Sequence, residues 1–226
     1  MCGRFVQNSP LHTVQQFFDA ETALLDLVPN YNVAPTQKIL SIVKHAHKNR
    51  LETLHWGLVP FWARDISISS RMINARAETV AEKPSFRNAF KKRRCLIPAD
   101  GFYEWKGEKG NKQPYYITGP WVGPFAFAGL WEKWTDKERH EEAVYKSCTI
   151  ITTAARGSIH EIHHRMPVIL SPEFHEKWLN ADMRDPKALK IILREGMVHD
   201  LKYHPVSKIV NAVKNNDPSC IEPTAV

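Results

Sequence analysis

A chain of 226 residues, 43% hydrophobic and 24% charged, is long enough for one sizeable core and has the composition of an ordinary globular protein. No repeat, low-complexity tract or long glycine-serine linker divides it, so a single domain is expected over residues 1–226, with about 215–226 a loosely packed tail. Lysine and arginine number 31 against 24 acidic residues, a net charge of +7 that favours anionic partners, nucleic acid above all, although proteins that bind nothing charged share that balance.

In chain order "MCGRF" comes first and sets a thiol directly behind the initiator methionine. Removal of Met1 leaves Cys2 with an α-amine and a thiol on adjacent carbons. The alternative is a small buried hydrophobe leading into a first strand. The remaining cysteines, Cys95, Cys148 and Cys220, are scattered, without a C-x-x-C pair or paired metal-ligand spacing. The opening residues lack the charged start and apolar stretch of a secretory signal, and no apolar run approaches the roughly 20 residues of a membrane helix. A cytoplasmic protein with reduced thiols and no membrane contact is expected.

"GRFVQ" predicts a short strand. "SPLHTVQQFFD" predicts a helix with Ser9 as N-cap and Pro10 at its first position, its face lined by Leu11, Val14, Phe17 and Phe18. "YNVAPTQ" reads as loop, because Pro35 restricts Ala34. "KILSIVKHA" and "LETLHWGLV" read as paired strands turning at "HKN". An irregular stretch follows through "MINARAET", then a helix, "SFRNAFKKRR", with Ser85 as its cap. "CLIPADGFYEWKG" holds two short strands around an Asp100-Gly101 turn, and "KGEKGNKQP" is an exposed hairpin loop leading into "YYIT". "PFAFAGLWEKW" and "YKSCTIITT" are apolar, β-branched strands. "SIHEIHHRMP" predicts a helical turn ended by Pro167, and "SPEFHEKWL" and "DPKALKIILRE" predict helices opened by a cap residue and proline. Strands lead the count, so the class is α+β with a largely antiparallel twisted sheet.

Several stretches carry more polar and aromatic groups than loops need. "MINARAET" places Asn74, Arg76 and Glu78 at alternating positions, one face of a strand if extended. It reads either as a surface strand with an internal ion pair or as a phosphate grip. "GFYEW" puts Glu104 between Tyr103 and Trp105, where aromatic walls raise a carboxyl pKa; the alternative is the outward residue of a half-buried strand. "LHWGLVPFWA" carries Trp56 and Trp62, stacking platforms for unpaired bases if exposed and core residues if not. "KKRR", Lys91 to Arg94, reads equally as an anion site or a solvated helix end. In "IHEIHHRMP", His160 and His164 have a spacing that can bind zinc on a helix, but a third ligand and the H-E-x-x-H order are missing. The reading calls for no metal and no cofactor.

Taken in order, "MCGRF", "YNVAPTQ", "WGLVPFWA", "INARAET", "RCLIPADGFYEW", "FAGLWE", "TIITTAA" and "HHRMPVIL" resemble the SRAP family, named for SOS response-associated peptidase, whose animal members were first described as binding 5-hydroxymethylcytosine. The matches run from Cys2 to about Pro205. The resemblance implies a barrel-like core with peripheral helices, a monomer, and a protein that recognises abasic sites in single-stranded DNA. It further implies covalent bonding to them through Cys2 as a thiazolidine, with Met1 removed by self-processing or an aminopeptidase, and possible lyase activity. By resemblance Asn74 positions the Cys2 amine and thiol, Glu104 shuttles protons, and His163 holds the sugar or adjacent phosphate and assists proton transfer. Arg4, Arg76 and Arg165 contact phosphates, Trp56 and its loop stack on, or wedge against, flanking bases, and His160 and His164 are structural. Two rivals stand beside this: a non-covalent binder of single-stranded or modified DNA, and a thiol protease acting in trans with Cys2, His163 and Glu104.

Overall fold

A computed structural model describes residues 2–23, 26–108, 110–136 and 144–225. Its elements are β1 (Phe5–Gln7), α1 (Leu11–Phe18), β2 (Ala20–Glu21), β3 (Asn30–Val33), β4 (Lys38–His45), β5 (Lys48–Trp56), β6 (Asn74–Arg76), α2 (Arg87–Lys92) and β7 (Arg94–Ala99). They continue with β8 (Gly101–Lys106), β9 (Gln113–Thr118), β10 (Phe125–Thr135), β11 (Val144–Ala154), β12 (Arg165–Pro167), β13 (Ile169–Leu170), α3 (His175–Leu179), α4 (Pro186–Glu195) and β14 (Lys202–Pro205).

The longest strands make a barrel. β5, β4, β7, β10 and β11 pair antiparallel in that order, and a parallel pairing of Ser147 with His55 and Cys148 with Trp56 joins β11 back to β5. Closure removes the two free edges of the five-strand array. β6 and β12 then add to β11, where Ile150 faces Asn74, Thr152 faces Arg76 and Pro167, and Ala154 faces Arg165. A second, wholly antiparallel sheet runs β14-β9-β8-β1-β3. Its Phe5 and Phe102 pack edge-on against Phe127 of the barrel at 5.6 and 6.0 Å, so the two sheets share one core. The α+β class and the barrel-like core are as expected.

The two strands expected around Asp100-Gly101 are there, as β7 and β8, but they do not pair with each other. β7 pairs with barrel strands and β8 with the second sheet, so the chain changes sheets there instead of doubling back. Asp100 anchors the corner: its Oδ2 accepts from the Asn8 and Ser9 amides at 2.7 and 2.9 Å, and its Oδ1 accepts from the Ser9 hydroxyl. That bond draws Ser9 away from α1, whose cap position falls to Pro10 without a side-chain bond. Gly101 is required because a Cβ there would lie 2.3 Å from the Tyr116 ring.

Other local expectations need correction too. The start of "YNVAPTQ" belongs to a strand, Asn30–Val33, recruited by β1, and only the part after it turns. Phe86, not Ser85, caps α2, again without a side-chain bond. Asp185 does cap α4, its carboxylate accepting from the Lys187 and Ala188 amides. The tail is not loose: Cys220 is buried, Thr224 N–H donates to the Pro205 carbonyl, and Val206 bridges to Pro223. "KKRR" divides, because Arg94 is buried and donates to the carbonyls of Trp178, Phe90, Lys91 and Asn180. Arg93 pairs with Glu132 at 2.6 Å, leaving Lys91 and Lys92 on the surface. Among the described residues no helix is long and apolar enough to cross a membrane.

Candidate active site

Four residues from distant parts of the chain meet where the second sheet approaches β11. Cys2 leads into β1 and Glu104 lies in β8, while Asn74 opens β6 and His163 lies just before β12. Asn74 Nδ2 donates to the Cys2 carbonyl oxygen at 2.8 Å. Glu104 Oε1 lies 3.9 Å from His163 Nδ1, which itself lies 3.0 Å from both the amide nitrogen and the carbonyl oxygen of Arg165. The main chain of "HHR" thus fixes the imidazole, which stacks on His164 at 4.3 Å.

Burial sets the proton inventory. It raises the Cys2 thiol far above its ordinary value, with the nearby Glu104 charge adding to the effect. It raises Glu104 as well, opposed by the charges around it, Lys112 among them. It lowers His163, so the imidazole is neutral in the physiological range. A neutral thiol, a carboxyl biased toward its acid form and a neutral imidazole can together pass protons without separating charge. Cys2 is 0% exposed; Met1, whose removal the sequence led us to expect, lies outside the described residues.

The arginines divide. Arg76 is exposed, opposite Thr152 on β11. Arg165 is held by Glu78 through a two-point fork at 2.7 and 3.1 Å and donates to the Thr152 carbonyl at 2.7 Å. Glu78 lies in the turn after β6, outside the strand, and pairs with an arginine 87 positions away instead of with Arg76. Arg4 is partly buried, with Nη1 donating to Asn32 Oδ1 and the Val210 carbonyl, both at 2.7 Å. It serves as an internal strut through that group.

Trp56 is the clearest correction. It is 0% exposed, meets Phe5 edge-on at 5.1 Å and donates through Nε1 to the Ile73 carbonyl at 2.9 Å. It cannot stack on a base; it supports Cys2 and Asn74 from behind through their neighbours. The exposed aromatics of that segment are Phe61 and Trp62, 50% and 48% exposed, beside Arg87 and Lys91. His160 is exposed on a 3₁₀ turn, and among the described residues no group of three or more metal-ligating side chains gathers. Sequence reasoning missed Lys112, a loop lysine with no local signal, and Thr152, which only strand pairing places beside Arg76.

A closed barrel joined to a second sheet, with Cys2 and Glu104 from the second sheet's side meeting Asn74 of β6 and His163 just before β12, defines a barrel-cored α+β protein with a cluster of titratable groups around Cys2. The chain belongs to the SRAP family: the family model for SOS response associated peptidase (SRAP) matches residues 1–213. It is 45% identical over 225 residues to the abasic site processing protein YoqW of Bacillus subtilis, covering 98% of this chain and 99% of that one. It is 32% identical over 231 residues to the abasic site processing protein YedK of Escherichia coli, covering 99% and 100%. The crystal structure of a protein from Bacteroides thetaiotaomicron superposes with a TM-score of 0.85 at 27% identity, covering 99% of this chain and 100% of that one.

Proposed function

We propose that this protein captures abasic sites in single-stranded DNA by covalent attachment through Cys2, shielding the damaged strand. The observation that carries the reading is the convergence of Cys2, Asn74, Glu104 and His163 in a chain whose relatives are named abasic site processing proteins.

Once Met1 is hydrolysed away, the Cys2 amine attacks the C1′ aldehyde of the open-chain sugar. Water leaves and an imine forms. The thiol sulfur then adds to the imine carbon, its proton passes to nitrogen, and a thiazolidine closes, one water being released overall. An α-amine, with a pKa of roughly 7.7–8.0, has an appreciable neutral fraction near pH 7, unlike a lysine at about 10.4. The second step is intramolecular, so its entropic cost is small. Glu104, biased toward its acid form, protonates the departing hydroxyl, and His163 relays the proton or holds the neighbouring phosphate. Arg76 grips phosphate directly. Arg165 does so by exchanging the Glu78 carboxylate for a phosphate oxygen, and Phe61 and Trp62 supply the stacking first assigned to Trp56.

The experiment is a denaturing gel of the protein with abasic single-stranded DNA: a shifted band that Cys2→Ala abolishes is expected, and a shift surviving that change would remove Cys2 from the chemistry. The enclosure of Cys2 favours a second reading, in which a chain retaining Met1 binds DNA without bonding to it. Mass spectrometry of the same mixture separates the two, since capture requires loss of Met1 and an adduct weighing one water less than its parts.

A further inference from the structure

The two strands that present the thiol and the carboxyl are both fastened to the last stretch of the chain. In β8, Tyr103 and Trp105 flank Glu104 and so point to the opposite face of the strand. Tyr103 Oη donates to the Tyr31 carbonyl at 2.7 Å and lies 3.4 Å from the Cys220 carbonyl, and Trp105 Nε1 donates to Asn211 Oδ1 at 2.7 Å. On the β1 side Arg4 donates to the Val210 carbonyl, and its guanidinium lies 5.9 Å from the Trp105 ring centroid. Asn32 joins both systems. It is buried, its Oδ1 accepts from Arg4, and the two N–H groups of its Nδ2 are shared among the carbonyls of Val210, Ala212 and Asn215, which lie at 3.2, 3.1 and 2.8 Å.

This fastening falls where the sheet itself is short. β1 and β8 are in register only at Phe5–Phe102 and Val6–Gly101, supplemented by the Tyr103 amide donating to the Arg4 carbonyl at 2.9 Å. Cys2 is joined to Arg4 along the main chain through Gly3 alone. The position of Cys2 relative to Glu104 therefore depends on Arg4, and Arg4 is held from its side chain by residues some 206 positions away.

We propose that residues 207–225 are a positioning strap, anchored by Asn32, that sets where Cys2 stands relative to Glu104 during capture of an abasic sugar. The inference rests on the reading of Cys2 as nucleophile. Asn32 and Asn211 touch no substrate; they act through Arg4 and Trp105. Reactions between positioned groups lose on the order of 10²-fold in rate for a misplacement of about 1 Å, while affinity set elsewhere on the surface is untouched.

The test uses the full chain with Met1 removed and three variants: Asn32→Asp, Asn211→Ala and Trp105→Phe. Single-turnover crosslinking to abasic single-stranded DNA gives the rate constant. Titration with the same strand carrying a tetrahydrofuran analogue, which has no aldehyde, gives the affinity, and thermal unfolding checks the fold. The expected result is a rate constant lower by about tenfold or more with affinity within about twofold of the parent. Folded variants that keep the parental rate, or that lose rate and affinity equally, overturn the strap. Should Asn32→Asp fail to fold, Asn211→Ala and Trp105→Phe decide, because each removes one bond at the surface end. A parent that does not crosslink, or a Cys2→Ala variant that does, overturns the reading of Cys2 and takes the strap with it.

Discussion

Asn74 donates from Nδ2 to the Cys2 carbonyl at 2.8 Å, joining β6 to the segment before β1 across 72 positions. Its Oδ1 is buried and has no hydrogen-bond partner among the described residues. An acceptor in that state suits an incoming amine proton or sugar hydroxyl. Asn74→Leu removes both groups at similar size. The expected outcome is crosslinking slowed by about tenfold, the equivalent of one hydrogen bond of roughly 1.4 kcal/mol, read as a single-turnover rate.

Glu104 gives a pH signature. Burial raises its pKa from the ordinary 4.5, so the folded chain keeps the proton to higher pH than the unfolded chain does. Stability from this group is therefore complete below about pH 4.5 and declines as pH rises through the raised value. Glu104→Gln should abolish that decline in urea titrations across pH. It should also slow crosslinking by about 10²–10⁴-fold while binding is retained. A parallel loss of affinity would make Glu104 structural.

His175 behaves in the opposite sense. It stacks on Phe18 at 5.3 Å, its Nε2 lies 3.0 Å from the Leu170 carbonyl, and burial lowers its pKa from 6.5. Stability from the neutral ring is present above about pH 6.5 and is lost as pH falls through the depressed value. His175→Gln should flatten this part of the acid limb, measured by denaturant midpoint against pH.

Arg94 holds α2, β7 and the end of α3 together through hydrogen bonds to carbonyls and a guanidinium 5.6 Å from the Trp178 ring centroid, and burial lowers its pKa to about 10. A lysine cannot span four acceptors in that fork. Arg94→Lys should cost about 2–4 kcal/mol in chemical denaturation, since charge-assisted bonds are worth roughly 1.5–3 kcal/mol each and some are regained.

The two tryptophans of one segment should separate cleanly. Trp56→Ala removes a core side chain and should cost about 3–5 kcal/mol. Trp62→Ala should leave the melting temperature in place and weaken single-stranded DNA binding by about 1–3 kcal/mol, the usual loss of one stacked base. Equal effects of both on stability alone would remove this face from DNA binding.

The sequence by itself determined what local patterns encode. The apolar, β-branched runs "KILSIVKHA" and "LETLHWGLV" give the paired strands β4 and β5, Asp185-Pro186 opens α4, and the ordered motifs with Cys2, Asn74, Glu104 and His163 name the family. These signals act over a few residues, or reside in residue identity itself. Only the tertiary structure decided which side of a surface each residue takes. It buried Trp56 and Arg94, made Asp100 a corner between sheets, and tied the tail to Arg4 and Asn32. The physical reason is that a hydrogen bond such as that from Arg4 to Val210 links groups 206 positions apart, and no short window of sequence contains both partners.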